Sequence, residues 1–433
     1  MAACGRPLAL ARAAGPALGL AVGYYLLARA GLLVQLPGTN ASPVWPAAGL
    51  AAGAVLLAPR AHRAWLVAAV AVGAALANVH TLQAGGWPVA LGIGAGNAAA
   101  AWLTAALVRR GAGGAPLLSR AAHVLALAMA AGVGCVLAAT GGAANLYRGD
   151  VISGAQLVPV WLTWWLGDFA GVMLMVPLML AWMSRGHPPM DRLPEALVVG
   201  SLVLAAGAVA VAPVTTAAMA TGMLWLVFPA VGWVAFRCGA RASATLAAAL
   251  AVVLTVGVWR LFMAAADAGG APEDTLLAAT GPQAALRLLQ VLVVALALAA
   301  ALFAAAMRER ADAAAATRAS EQRFRASVKS APTALVMVDA GGAIVMANAE
   351  AERLFGWSRE DLHGQPVEVL VPEAARAHHP GMRAGFAADP HARRMGAGRE
   401  LCARRRDGSE FPVEVGLNPV MTDDGAFVMC AVT

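Results

Sequence analysis

Charge is scarce in this chain. Asp, Glu, Lys and Arg make up 13% of its 433 residues, against roughly 25% in soluble globular proteins, which excludes an ordinary water-facing fold for most of its length. Lysine is almost missing: Lys329 is the only one, and every other basic side chain of this class is arginine. The formal net charge of +7 would suit nucleic acid, yet the arginines before residue 308 cluster at the ends of apolar runs, where membrane topology accounts for them. Nucleic acid is therefore excluded as a partner. Cysteines are few and scattered. Cys4, Cys135, Cys238, Cys402 and Cys430 are odd in number and form no CxxC pair, which excludes a zinc site and a disulfide framework. No metal site is expected.

What is present is apolar sequence, 60% of all residues. A membrane span needs about 20 mostly apolar residues. On that basis about ten candidates follow, centred near residues 20, 51, 72, 98, 132, 170, 203, 227, 252 and 295. The second is short and rich in Pro and Gly. The first runs from Pro7 past Leu33, longer than a signal-peptide core, so it reads as a retained span.

Loop charges fix the orientation. Arg6 and Arg12, Arg60 and Arg63, Arg109, Arg110 and Arg120, Arg185 and Arg192, Arg237 and Arg241, and Arg308 and Arg310 fall in alternate loops, while the loops between them carry almost no arginine. Positive charge stays on the cytoplasmic side, so the expected protein is multi-pass with both termini cytoplasmic. The sequon at Asn40 carries no weight in this reading. Spans in lipid must satisfy their own backbone, so they are helices.

Polar residues inside apolar runs are the informative exceptions. Asn78, Asn97, Asp168, Arg260 and Arg287 all lie within or at the ends of such runs. A charge at mid-bilayer costs about 2.5–3.5 kcal/mol on insertion scales. Such a residue faces a polar interior, either as a structural pair (Asp168 with Arg260 or another donor) or as a ligand, ion or proton site.

The segments VWPAAGLAAGAVLL (44–57), GAALANV (73–79), GIGAGNAAAAWL (92–103), WWLGDFAGVMLMVPLML (164–180) and FPAVGWVAFRCGARASA (228–244) resemble the MASE1 domain, a bacterial integral-membrane sensory domain. The WP-x-x-G-L motif at Trp45 and Pro46, and WWLGD with Trp164, Trp165, Gly167 and Asp168, are its most specific parts. The resemblance implies a sensory role in the bacterial inner membrane, ahead of a histidine-kinase or diguanylate-cyclase output module.

After Met307 the sequence is rich in helix formers with no Pro until Pro332, so the last span continues as a connector helix suited to a homodimer. Short strands follow. ALVMVDA, a Gly341-Gly342 turn and AIVMAN read as a hairpin, and a helix ends at Gly356. The segment after Gly398 gives three strands joined at Asp407-Gly408 and Asp423-Asp424-Gly425. D-x-x-G-x-I-x-x-x-N at Asp339 to Asn348, FGWS at Phe355 to Ser358 and RRRDGSEFPVEV at Arg404 to Val415 resemble a PAS domain. The expected fold class is a polytopic α-helical membrane bundle of about ten transmembrane helices plus a C-terminal α+β PAS domain with a five-stranded antiparallel sheet. The expected domains are 1–306 (MASE1-like), 307–330 (connector) and 331–433 (PAS).

Within the PAS segment, Pro372-Glu373, Arg376, His379 and Gly381 are similar to the haem-PAS oxygen sensors of the FixL type. There, a histidine at the position of His379 ligates haem iron, and an arginine at that of Arg399 lies on the distal side. A sole imidazole ligand leaves the sixth iron site open for gas. His378 is a competing ligand, and Gly385 stands where those sensors carry an arginine. The same pattern occurs in PAS domains without haem. The expectation is no cofactor, with haem the alternative.

No catalytic constellation is visible, so the chain is expected to be non-enzymatic. It ends at Thr433 without the junction that leads from a PAS domain into an output module, and so reads as the input half of a membrane sensor. The partners expected are the lipid bilayer, a second copy of the chain, another membrane protein, and a downstream kinase or cyclase module. Two alternatives use the same residues: a permease with Asp168, Asn78 and Asn97 along its path, or a scaffold that docks another membrane sensor.

Overall fold

The computed structural model describes residues 6–35, 42–79, 86–111, 117–183, 192–212, 215–267, 281–395, 400–422 and 425–433. The chain divides into two units, Met1–Ala311 and Asp312–Thr433.

In the first unit each long apolar run becomes a helix, because intrahelical bonds alone satisfy the backbone in lipid. The helices are α1 (Arg6–Leu33), α2 (Pro46–Leu57), α3 (Arg63–Val79), α4 (Gly86–Gly111), α5 (Ala121–Arg148), α6 (Leu157–Met183), α7 (Leu193–Ala210), α8 (Ala217–Asp267) and α9 (Pro282–Lys329), the last continuing into the second unit. Among the described residues, eight are long and apolar enough to cross a membrane, and α2 is a shorter apolar helix.

At 51 residues, α8 measures about 76 Å at 1.5 Å per residue, more than twice a hydrocarbon layer of roughly 30 Å. Gly239, at φ 83°, resolves the excess, since only glycine readily adopts that left-handed backbone. Just before it, Arg237 meets Glu195 at the start of α7, 3.0 Å away. Just after it, Leu246 lies at Gly200 and Leu250 at Gly207, further along α7. Both arms of α8 therefore flank α7 in opposite directions, and Gly239 is a chain reversal. The sequence expected separate spans centred near 227 and 252; each arm of α8 holds one.

Small residues let these helices approach. A Cβ on Gly49 of α2 would fall on the Gly171 carbonyl of α6, and one on Gly142 of α5 would fall inside the Trp164 ring. The buried core runs through Tyr24, Val55, Val70, Leu127, Met173, Leu250, Leu286 and Val293.

The second unit mixes strands with short helices. Strands β1 (Ala334–Asp339), β2 (Ile344–Ala347), β3 (Arg393–Arg394), β6 (Val415–Thr422) and β7 (Gly425–Val432) form an antiparallel sheet of order β2-β1-β7-β6-β3, while β4 (Leu401–Arg404) pairs with β5 (Glu410–Val413) as a separate hairpin. The fifth strand corrects the sequence reading, which drew it from the segment after Gly398. It is the Arg393–Arg394 edge, two exposed arginines with no apolar alternation to reveal them. The expected middle strand, between the Asp407-Gly408 and Asp423-Asp424-Gly425 turns, is split into β5 and β6 at Glu414, whose backbone exchanges both hydrogen bonds with Thr433. The Asp423-Asp424 part of the last turn lies outside the described residues.

Short helices cover the sheet: α10 (Ala349–Phe355), α11 (Arg359–Leu362), α12 (Glu373–Arg376) and α13 (His379–Ala388). Gly356 ends α10 at φ 72°, as the sequence signal requires. Phe355, Ile344, Leu362 and Val336 fill the core beneath them. Asn348 fastens this region. Its Oδ1 accepts from the Leu335 and Ala351 amides, both at 2.9 Å, and its Nδ2 donates to the carbonyls of Thr333 at 2.9 Å and Val328 at 3.2 Å. Val328 belongs to α9, so the buried amide of Asn348 holds the end of that helix against the first strand.

Candidate functional site

The site is built on α6. Its entry is set by a capping box between Ser153 and Gln156 in the preceding turn, Gly154–Gln156. Pro159 falls in the first turn of the helix, where a missing amide costs nothing. Three aromatic residues at i, i+4 spacing then stack along one face: Trp161 on Trp165 at 6.2 Å and Trp165 on Phe169 at 5.8 Å between ring centres. Two of the indoles bond to α5, Trp161 to Thr140 Oγ1 at 3.0 Å and Trp165 to the Gly132 carbonyl at 2.9 Å. Trp165 of the WWLGD motif is thus an anchor between α5 and α6, and Trp164 packs its ring against Gly142 of α5.

Gly167 and Trp45 meet directly. The segment Ser42–Trp45 is extended and largely buried, and the Trp45 amide donates to the Gly167 carbonyl at 3.0 Å. Pro46 opens α2 immediately afterwards, so a non-helical stretch ends against the middle of α6. Irregular backbone at membrane depth is tolerated only where protein or a polar cavity surrounds it. The Trp45 indole also donates to the Tyr24 hydroxyl on α1, at 3.2 Å. The structure therefore brings together Trp45, Pro46, Trp164, Trp165, Gly167 and Asp168 from two distant motifs.

Asp168 is 6% exposed. Among the described residues no hydrogen bond or ion pair reaches its carboxylate, and Tyr24 and Cys135 lie within its electrostatic reach. The pair with Arg260 that the sequence allowed is not formed. Arg260 is exposed on the far arm of α8, the one charged residue lining a groove of about 600 Å³ between α7 and α8. The arginine faces that groove because its arm of α8 packs on α7. Asn78 and Asn97 are buried on α3 and α4, where each amide donates to its own helix four residues back, at Ala74 (2.8 Å) and Ile93 (3.1 Å).

Sequence reasoning passed over two members of the site. Tyr24 is fully buried against Trp45, and aromatic residues near a span end are too common to single out. Gln290 on α9 is also fully buried. Its Nε2 donates to the Thr163 carbonyl of α6 at 2.9 Å, while its Oε1 has no partner among the described residues. A polar residue inside the run LLQVLVVAL was available to the same rule that selected Asn78. Arg287, one turn earlier, keeps a buried Nε without a partner.

In the PAS unit, His379 opens α13 and is half-buried. Its Nδ1 lies 2.8 Å from the Glu368 carboxylate, which Arg383 also contacts at 3.0 Å. Burial pushes the Glu368 carboxyl up, but the bonds from His379 and Arg383 outweigh it and hold the group below the usual range. His378 is exposed at the start of the same helix. A histidine whose Nδ1 is held by a carboxylate presents Nε2 as the free ring nitrogen, the arrangement that metal-ligating imidazoles use. Gly385 has open space where a side chain would project. Arg399 lies outside the described residues. Among the described residues no group of three or more His, Cys, Asp or Glu side chains could hold a metal ion.

Comparison with known proteins agrees with this architecture. The family model MASE1 matches residues 16–311, and the PAS fold model matches residues 322–433. Sensor protein FixL of Bradyrhizobium diazoefficiens is 34% identical over 109 residues, 25% of this chain and 21% of that protein. Oxygen sensor protein DosP of Escherichia coli is 27% identical over 97 residues, 22% of this chain and 12% of that protein. The chain thus spans about a fifth or less of the length of these relatives. Among solved structures, the PAS domain of an HTR-like protein from Haloarcula marismortui is 20% identical with a TM-score of 0.26, covering 28% of this chain and 97% of that one.

Proposed function

Since the chain belongs to the MASE1 family and carries a PAS fold behind that domain, we propose that its bundle senses a cue at the polar site around Asp168 and relays it along α9. The protein is a membrane sensory protein. The finer reading places it in a bacterial inner membrane with both termini cytoplasmic, as a homodimer acting on a histidine-kinase or diguanylate-cyclase module. The loop arginines support the topology, and the absence of a visible catalytic constellation supports a role in input rather than catalysis.

The observation that carries the relay is the continuity of α9. One helix contains Gln290, bonded to α6, and Val328, bonded to Asn348 of the PAS unit. A stimulus shifts such a system only if it favours one of two helix arrangements. A buried carboxylate with no hydrogen bond or ion pair among the described residues supplies that leverage, because any ligand, proton or partner that neutralises Asp168 removes a cost of several kcal/mol.

The test fuses the chain to a histidine-kinase module. Asp168→Asn should change the autophosphorylation level at least several-fold with expression intact. Two glycines inserted after Ala314 should abolish that difference. An unchanged level in Asp168→Asn would sink the reading.

A second reading concerns haem in the PAS unit, favoured by the Glu368 bond to His379 that leaves Nε2 free. Bound haem would supply a gas-binding iron, with His379 as its ligand and Glu368 orienting the ring. The full chain, purified and reconstituted with haemin, should then show a Soret band that His379→Ala removes. A colourless wild-type protein rejects this.

A further inference from the structure

We infer that Gln290 is the positioning residue that couples α6 to the output helix, an inference that rests on the relay proposed above. Gln290 is the one polar residue between Leu288 and Leu296, and its side chain is fully buried. A leucine there would pack in the same volume without any polar cost. What the amide adds is a directional bond, from Nε2 to the Thr163 carbonyl.

The bond falls on the turn of α6 that the motif defines. A Cβ on Gly167 would lie 3.4 Å from Gln290 Nε2, 3.2 Å from the Ser42 carbonyl oxygen and 3.6 Å from that of Pro43. The Gly167 carbonyl meanwhile takes the Trp45 amide. One turn of α6, from Thr163 to Gly167, is therefore held by α9 and by the extended segment before α2. Asp168 is the next residue. Any displacement of this turn that accompanies neutralisation of Asp168 must strain or break the Gln290 bond.

The amide also has somewhere to go. Its donor is used and its acceptor Oε1 is unpartnered, so a donor arriving on the other side offers a second arrangement. Two discrete arrangements of a buried group are what transmission through a packed bundle requires. Gln290 stands near the start of α9, whose last turn at Val328 takes the Asn348 amide, so the coupling runs through that helix. Gly167 is constrained from the other side of the same turn: an added Cβ would lie 3.2 Å from the Ser42 carbonyl oxygen and in ordinary contact with the Gln290 amide.

The experiment is hydrogen–deuterium exchange on the full chain in nanodiscs, reading the segments 160–168, 285–296 and 328–335. Gln290→Leu should increase exchange in 160–168 and should change it at least twofold in 328–335. Gly167→Ala, whose added methyl crowds the Ser42 carbonyl on the turn of α6 that Gln290 holds, should also alter 328–335, and it keeps the test open if Gln290→Leu folds poorly. Ala314→Pro is the control for the relay itself. If it changes 328–335 while Gln290→Leu and Gly167→Ala affect only 160–168 and 285–296, Gln290 has only a local packing role and the inference is overturned. If Ala314→Pro leaves 328–335 unchanged as well, the relay fails, and the coupling assigned to Gln290 falls with it.

Discussion

Buried polar residues of this protein are treated in two opposite ways. Asn348 has both amide hydrogens and its oxygen engaged in four bonds, so it acts as a fixed clamp. The Oε1 of Gln290 has none among the described residues, nor does the buried Asp168 carboxylate, and the proposed relay rests on these two groups. Glu368 belongs to the first kind. Its carboxyl titrates below the usual range because His379 and Arg383 donate to it. A depressed folded-state value means that its stabilising contribution is present above the unfolded value, near 4.3 for Glu, and is lost as pH falls through the folded one. Hydrogen exchange of residues 366–388 in the full chain, corrected for intrinsic rates, should therefore rise as pH falls from about 5 to 3. Glu368→Gln should raise exchange at neutral pH and flatten the acid response. An acid response of equal steepness in the variant would assign the effect to other carboxylates.

At the scale of elements, the contact of α2 with α6 decides the geometry. Gly49, Gly53 and Gly171 remove side chains from the seam, and a Cβ on Gly171 would overlap the Trp45 carbonyl. Overpacking of this kind costs about 1–3 kcal/mol. Gly171→Ala should accordingly lower the unfolding midpoint of the detergent-solubilised protein. Gly132→Ala, with open space around its Cβ position, should stay within about 0.5 kcal/mol of wild type. Equal midpoints for the two variants would show that the seam relaxes freely. Helix identity in this region was legible in the sequence because lipid leaves no alternative to helices. The shortness of α2 and a loop between the two arms of α8 were legible as well; that Gly239 is the residue that turns that loop, and the two-residue strand at Arg393, were not, because each is defined by its neighbours. A glycine among 46 carries no mark that it alone turns the chain.

At the scale of the whole molecule, the relay test in the kinase fusion addresses both units through the one helix they share, α9. The division into a lipid-facing half and a charged half follows from hydropathy and charge alone, since no folding arrangement of 60% apolar residues could hide them all from water. The motif residues Trp45, Pro46, Trp164, Trp165, Gly167 and Asp168 were likewise legible, because a carboxylate or a Trp-Pro pair stands out against alanine and valine. Their purpose was not. That Trp45 ends on Gly167, that Asp168 is buried without a bond to Arg260, and that Gln290 donates to the Thr163 carbonyl all depend on which helices lie side by side. Sequence fixes what each residue can do as donor, acceptor, charge or spacer. Only packing fixes which of those capacities are used up, and at Asp168 and Gln290 it is the unused capacity that points to function.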